Sequence, residues 1–218
     1  MIQKPALIVS AGMPRSASTW LYNVARLILE SDPEIKKDLT SGWIEDLKRI
    51  PSTPIILVKT HEYVPDLAEK AQFILYSYRD IRDVIASLYR KFNVSPTVEG
   101  AAANIAQYEK WRMCADFVMK YEDMKRSPES VVKNLAEKLG YPNINPSFII
   151  SKLNEMSYET EGKKNSAYHL SNLYHKGHIT DGRHGSWEST LDQGLIEQLE
   201  LNFRDWLETN GYPLTKIL

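Results

Sequence analysis

The sequence predicts a three-layer α/β/α fold around a central parallel sheet. Two observations carry that expectation. The apolar runs "ALIV", "IILV" and "FILY" lack in–out alternation, as strands covered on both faces do. Helical patterns separate them, so strand and helix alternate along the chain. "PALIVSAG", residues 5–12, reads as a first strand running into a loop. From Ser18 onward, Trp20, Leu21, Val24, Leu27 and Ile28 recur at helical spacing. "TPIILVKTH" contains a second strand, about Ile55 to Lys59, and "AQFILYSYRD" a third, about Phe73 to Tyr78. A helix carrying Val84, Ile85, Leu88 and Tyr89 follows. The next helix is expected to start with Ser95 as its cap and Pro96 at its first position. "ADFVMKYED" reads as a fourth strand. "SPESVVKNLAEKLGY" is punctuated as a helix by Ser127, Pro128 and Glu129 at its start and Gly140 past its end. A last helix, about Leu195 to Asn210, buries Leu195, Ile196, Leu199, Phe203, Trp206 and Leu207, and Gly211 stops it. Ligands of such sheets bind beyond the carboxyl ends of the strands. The clusters that carry chemistry lie at those ends.

The 218 residues suit one domain, 1–218, and 43% apolar residues suffice for a core. A net charge of −1 offers no broad basic field, so nucleic acid is not an expected partner and any anion site must be local. Cys114 is the only cysteine, which fits a reducing compartment. No apolar run has the length of a signal peptide core or a membrane span. The expectation is a cytoplasmic protein with no membrane partner. His61, His169, His175, His178 and His184 show no metal-ligand spacing, so no metal is expected.

"GMPRSAST", residues 12–19, nearly spells a P-loop, G-x-x-x-x-G-K-[ST]. Ala17 stands in place of the second glycine and Ser18 in place of the lysine, while Thr19 keeps the hydroxyl. Strand, loop and helix together aim backbone N–H groups and a positive dipole end at residues 15–19. Ser16, Ser18 and Thr19 add hydroxyl donors, and Arg15 adds a fixed charge that can grip an oxyanion. The loop should hold phosphate-like groups, yet it lacks the lysine that reaches the outer phosphates of ATP. Asp80 and Asp123 are the nearest candidates for holding Mg²⁺. If the backbone at Ala17 needs a positive φ, alanine costs about 1 kcal/mol there, and a helical φ would make it nearly free.

"PRSASTWL" resembles the 5′-phosphosulfate loop of sulfotransferases, commonly P-K-S-G-T-T-W, with Arg15 for the lysine and Ala17 for the glycine. These enzymes draw a sulfuryl group from 3′-phosphoadenosine 5′-phosphosulfate (PAPS) and release 3′-phosphoadenosine 5′-phosphate (PAP). Further segments resemble that family in order. "VKTHEY" matches a strand-end K-T-H, which implies His61 as general base and Lys59 as a contact to the sulfuryl group. "YRDIRDVIASLYR" matches the 3′-phosphate motif, which implies Arg79 and Ser87 as its ligands; Asp83 reads as a structural partner of a nearby arginine. "KYEDMK" places Tyr121 near the adenine, with Glu122 and Asp123 in structural hydrogen bonds. "EMSYET" matches a serine and an aromatic, Ser157 and Tyr158, that cover one face of adenine while Trp20 covers the other. "HITDGRHGSWES" resembles a late glycine-rich loop, in which Arg183, His184 and Gly185 would meet the 3′-phosphate. There Thr180 and Asp181 replace the family's usual basic residues.

The resemblance implies a P-loop-like PAPS-dependent sulfotransferase with Arg15, Lys59 and His61 catalytic. The acceptor, a small molecule, is unidentified: a hydroxyl or an amine. Two other readings are a P-loop nucleoside or nucleotide kinase, against which the missing lysine counts, and a non-catalytic nucleotide-binding protein, against which Lys59 and His61 count.

Overall fold

A computed structural model describes residue 4 and residues 6–47, 53–165, 167–178 and 182–215. Five parallel strands form one sheet: β1 (Ala6–Gly12), β2 (Leu39–Trp43), β3 (Ile55–Lys59), β4 (Phe73–Tyr78) and β5 (Phe117–Lys120). Their spatial order is β2-β3-β1-β4-β5. β1 is central, and the strand order switches direction beside it, which opens a crevice at its carboxyl end. Register brings Trp43 beside Lys59, Ser10 beside Lys59, and Gly12 beside Ser77, so the ends of four strands share one rim.

The strands divide their side chains between two cores. Ile8, Leu57, Leu75 and Met119 face one layer, and Val9, Ala11, Val58, Ile74 and Tyr76 face the other. The first layer holds α1 (Ser18–Glu30), α2 (Pro33–Lys36), α7 (Pro128–Leu139) and α8 (Pro146–Asn154). The second holds α3 (Pro65–Lys70), α4 (Ile81–Phe92), α5 (Val98–Arg112) and α9 (Gln193–Thr209). A short α6 (Tyr121–Arg126) continues directly from β5, and a 3₁₀ turn spans Ser186–Ser189. No helix among the described residues is long and apolar enough to cross a membrane.

Several boundaries differ from the sequence expectation. β2, "LTSGW", was not expected: it is a short edge strand whose Thr, Ser and Gly supply no apolar run. The helix expected from Ser95 starts two residues later. Thr97 caps it by accepting the Gly100 N–H at 3.0 Å, a role a hydroxyl fills wherever the chain turns. Ser127 does stand at the cap of α7, but its side chain makes no capping bond. Gly140 ends α7 at φ 89°, the left-handed region open to glycine. α9 starts from Asp192, which caps Leu195 N–H, and kinks at Phe203.

Candidate functional site

The loop between β1 and α1 is built by close packing against β4. Ser16 Oγ lies 2.7 Å from Met13 O and 2.7 Å from Ser77 Oγ, and Met13 N–H donates to Ser77 O at 2.9 Å. Gly12 has no room for a side chain: a Cβ there would run into Ser77 Oγ and stand 2.8 Å from Ser18 Cβ. Ser16 is therefore a brace, fully buried and turned away from any ligand, which corrects the expectation that its hydroxyl faces an anion. Ala17 has φ 62° and ψ 27°, so the family's glycine is explained and alanine here carries the strain. Arg15 is left-handed as well, at φ 63°. Leu21 N–H closes the first helical bond, onto Ala17 O at 3.0 Å. The N–H groups of Ser18, Thr19 and Trp20 precede it and have no acceptor inside the helix.

These groups open onto a cavity of about 610 Å³ at the carboxyl rim of the sheet. It is lined by Arg15, Ala17, Ser18, Thr19, Trp20, Lys59, His61, Arg79, Ser87 and Tyr121 among the residues singled out from the sequence. No described carboxylate lines it, whereas Arg15, Lys59, Arg79 and Lys125 do. Such a cavity suits a polyanion.

His61 Nδ1 lies 2.6 Å from Gly12 O. A carbonyl only accepts, so Nδ1 carries the proton and Nε2 keeps its lone pair. Burial, with the Lys59 and Arg15 charges nearby, pushes the His61 pKa down to about 3, against the opposing pull of the Gly12 bond. His61 is thus neutral near pH 7. Burial alone pushes Lys59 down to about 7. Its ammonium sits 5.0 Å from the Trp43 ring centroid, and Trp43 lies 5.3 Å from the His61 ring. Trp43 is a site residue the sequence did not reveal, because its strand was not recognised.

Arg79 is held on several sides. Nη1 donates to Arg15 O at 3.3 Å, Nη2 donates to Arg183 O and stands 3.3 Å from Asp83 Oδ2, and the guanidinium lies 4.1 Å from the Tyr121 ring centroid. Its Nε is buried with no hydrogen-bond partner. A guanidinium on the lining of a cavity that no described carboxylate lines fits a phosphate. Ser87 Oγ accepts from Arg15 Nε at 3.0 Å, so the phosphosulfate-loop arginine reaches the residue expected at the 3′-phosphate. Arg15 Nη2 also donates to His178 O at 2.9 Å.

Some expected ligands stay outside this constellation. Ser157 and Tyr158 do not line the cavity; they tie their own loop. Ser157 O accepts from Asn172 Nδ2 at 3.0 Å, and Tyr158 O–H donates to Asn165 O at 3.3 Å. Arg183 and His184 are exposed, and neither they nor Gly185 line the cavity. Their loop reaches it through Gly182, whose carbonyl accepts from Tyr121 O–H at 2.8 Å. Thr180 and Asp181 lie outside the described residues. Instead, Phe92, Tyr168, Leu173, Tyr174, His175 and His178 add an apolar and aromatic wall. His175 had drawn notice only as a candidate metal ligand, and His178 also as the first residue of the late glycine-rich segment. Leu173 adopts φ 59°, a strained conformation of the kind that clusters at binding sites.

The candidates for magnesium are committed elsewhere. Asp80 is paired with Arg82 at 2.7 Å and Asp123 with Arg126 at 2.5 Å, and neither lines the cavity. Among the described residues no three His, Cys, Asp or Glu side chains gather as a metal site. The kinase reading is thereby disfavoured on the residues themselves.

Known proteins place this geometry. The chain is 25% identical to flavonol 3-sulfotransferase of Flaveria bidentis over 96% of its length and 84% of that protein. It is 25% identical to flavonol 4′-sulfotransferase of Flaveria chlorifolia over 97% of its length and 82% of that protein. Among solved structures, mouse sulfotransferase SULT7A1 complexed with PAP superposes with TM-score 0.66 at 18% identity, over 95% of this chain and 84% of that one. Retinol dehydratase in a complex with retinol and PAP superposes at TM-score 0.59 and 16% identity, over 99% of this chain and 84% of that one. The sulfotransferase domain family matches residues 5–211, and with a PAPS-type loop, a strand-end Lys59–His61 pair and a cavity on one rim that no described carboxylate lines, the chain belongs to that family.

Proposed function

We propose that the protein transfers a sulfuryl group from PAPS to a hydroxyl of a small molecule and releases PAP. The observation that carries this reading is the cavity that joins a helix N-terminus, Arg15, Lys59, Arg79 and a neutral histidine without one described carboxylate. The helix-start amides of Ser18, Thr19 and Trp20, with Arg15, would hold the 5′-phosphosulfate, and Arg79 with Ser87 the 3′-phosphate. Trp20 and Tyr121 would flank the adenine, because both line the cavity and Tyr158 does not. When bound, PAPS supplies the activated sulfuryl group.

The chain's own residues do the rest. His61 Nε2 accepts the proton of the acceptor hydroxyl as its oxygen forms the new O–S bond, and the bond to the 5′-phosphate oxygen breaks. The Gly12 carbonyl holds the imidazole in the required tautomer. Lys59, once protonated, and Arg15 offset the negative charge on the transferring oxygens, which is usually the largest catalytic contribution. The overall balance is acceptor hydroxyl plus PAPS giving sulfate ester, PAP and one proton. The relatives named for flavonols, and the structural neighbour complexed with retinol, are matched to small hydroxyl compounds, which supports an acceptor of that size. The Trp43, Phe92, Tyr168 and Tyr174 rings supply a wall for it.

The test is transfer of labelled sulfate from PAPS to a panel of small alcohols and phenols. His61→Ala is expected to lower kcat by about 10²–10⁴ while leaving PAP affinity nearly unchanged. Wild-type turnover retained by that variant would remove His61 from its role.

A further inference from the structure

Asp83 lies on α4 one turn after Arg79 and one turn before Ser87, and it is fully buried. Its carboxylate receives three hydrogen bonds from one loop. Gly185 N–H donates to Oδ2 at 2.8 Å; Ser186 Oγ and Trp187 N–H donate to Oδ1 at 3.0 and 3.1 Å. The fourth partner is Arg79 Nη2, 3.3 Å from Oδ2. The same Nη2 donates to Arg183 O, so loop and guanidinium also touch directly. Gly185 sits at φ 74°, which turns its N–H toward Asp83 at no cost in side-chain strain. With both terminal nitrogens of Arg79 engaged by protein oxygens, its Nε remains without a partner.

This rests on the reading of Arg79 as a ligand of the 3′-phosphate. We propose that Asp83 is a positioning residue for 3′-phosphate recognition: one buried carboxylate fixes both the Arg79 guanidinium and the Arg183–Trp187 loop. It acts through them and not on the nucleotide. An amide cannot replace it. Two oxygens accept four donors, whereas asparagine offers one oxygen and turns an NH₂ group toward donors on its other side, leaving buried polar groups unmade.

The experiment compares PAP with 5′-AMP, which lacks the 3′-phosphate, by calorimetry on wild type and Asp83→Asn. PAP affinity is expected to fall at least about tenfold, the loss of one charge-assisted hydrogen bond, with 5′-AMP affinity kept within about twofold. In turnover, KM for PAPS is expected to rise while kcat at saturating donor holds within about threefold. Equal weakening of both nucleotides would mean a merely structural role and would overturn the proposal, as would unchanged PAP affinity. Should Asp83→Asn fail to fold, Ser186→Ala removes one donor from the same carboxylate. A PAP-selective loss of about threefold supports the proposal, and an unselective or absent loss overturns it. Failure of the functional reading looks different: wild type would then bind PAP no better than 5′-AMP. Wild-type preference for PAP that survives in the variants overturns only the role of Asp83.

Discussion

Ala17 and Lys59 show how far single residues can be read. The sequence left the backbone of Ala17 open between a helical and a left-handed φ, because nothing local distinguishes them. At φ 62° it is left-handed, and Ala17→Gly is expected to stabilise the protein by about 1 kcal/mol, raising Tm by roughly 2–4 °C in calorimetric melting. An unchanged or lowered Tm would mean that the strain is relieved in some other way. Lys59, Arg15 and Arg79 were legible from motif and strand position. The state of Lys59 was not, since its low pKa comes from burial that only the fold creates. A lysine held at about 7 when folded, against its higher unfolded value, leaves the unfolded chain binding more protons. Stability of the ligand-free protein therefore rises with pH above about 7, until the unfolded lysine also loses its proton. A bound polyanion pulls the other way and favours the charged form. At pH 8 PAP binding is expected to take up protons, read as a binding enthalpy that changes between HEPES and Tris, and Lys59→Met should remove most of that uptake. Proton release on binding would contradict this assignment. Ser16 marks the opposite case: its residue type suits an anion, but the packing of Gly12 against Ser77 turns it inward.

At the level of elements, the strands that were legible are those with continuous apolar runs. β2 escaped because an edge strand flanked by turns needs little apolar surface, and "LTSGW" has little. Its loss hid Trp43, which stands in register with Lys59 and lies within 5.0 Å of its ammonium. The loop 157–178 was less legible for a related reason. Ser157 and Tyr158 match a family hexapeptide, yet Asn172 Nδ2 and Asn165 O hold them in the loop's own bonds, while residues further along, Leu173 to His178, reach the cavity. No local pattern reports which turn of a loop faces inward. The β1–α1 unit is the most constrained element. Gly12→Ala places a methyl against Ser77 and Ser18 and is expected to cost about 1–3 kcal/mol in urea unfolding, together with weakened PAP binding. A variant as stable as wild type would show that the loop has room that the packing denies.

On the scale of the whole molecule, α4 gathers the site. Arg79 precedes it, and Asp83, Ser87, Arg90 and Lys91 face the loops that approach from the far end of the chain. Arg90 donates to Ser186 Oγ and Thr190 Oγ1, and Lys91 to the carbonyls of Lys176 and Gly177. Beneath them Arg82, buried, joins Asp80, Glu200 and Pro213 O, fastening α9 and the segment after it to the same helix. Residues 118 and 131 positions apart thus form one support, which is why the order of motifs was readable along the sequence while their meeting point required the fold. The account rests on that meeting point being a site for an adenylate with phosphates at both ribose positions. The direct measurement is calorimetric titration of the protein with PAP in EDTA, beside ATP with Mg²⁺. The account predicts saturable, metal-independent PAP binding and no comparable affinity for Mg²⁺–ATP. Tight binding of Mg²⁺–ATP with none for PAP would contradict it.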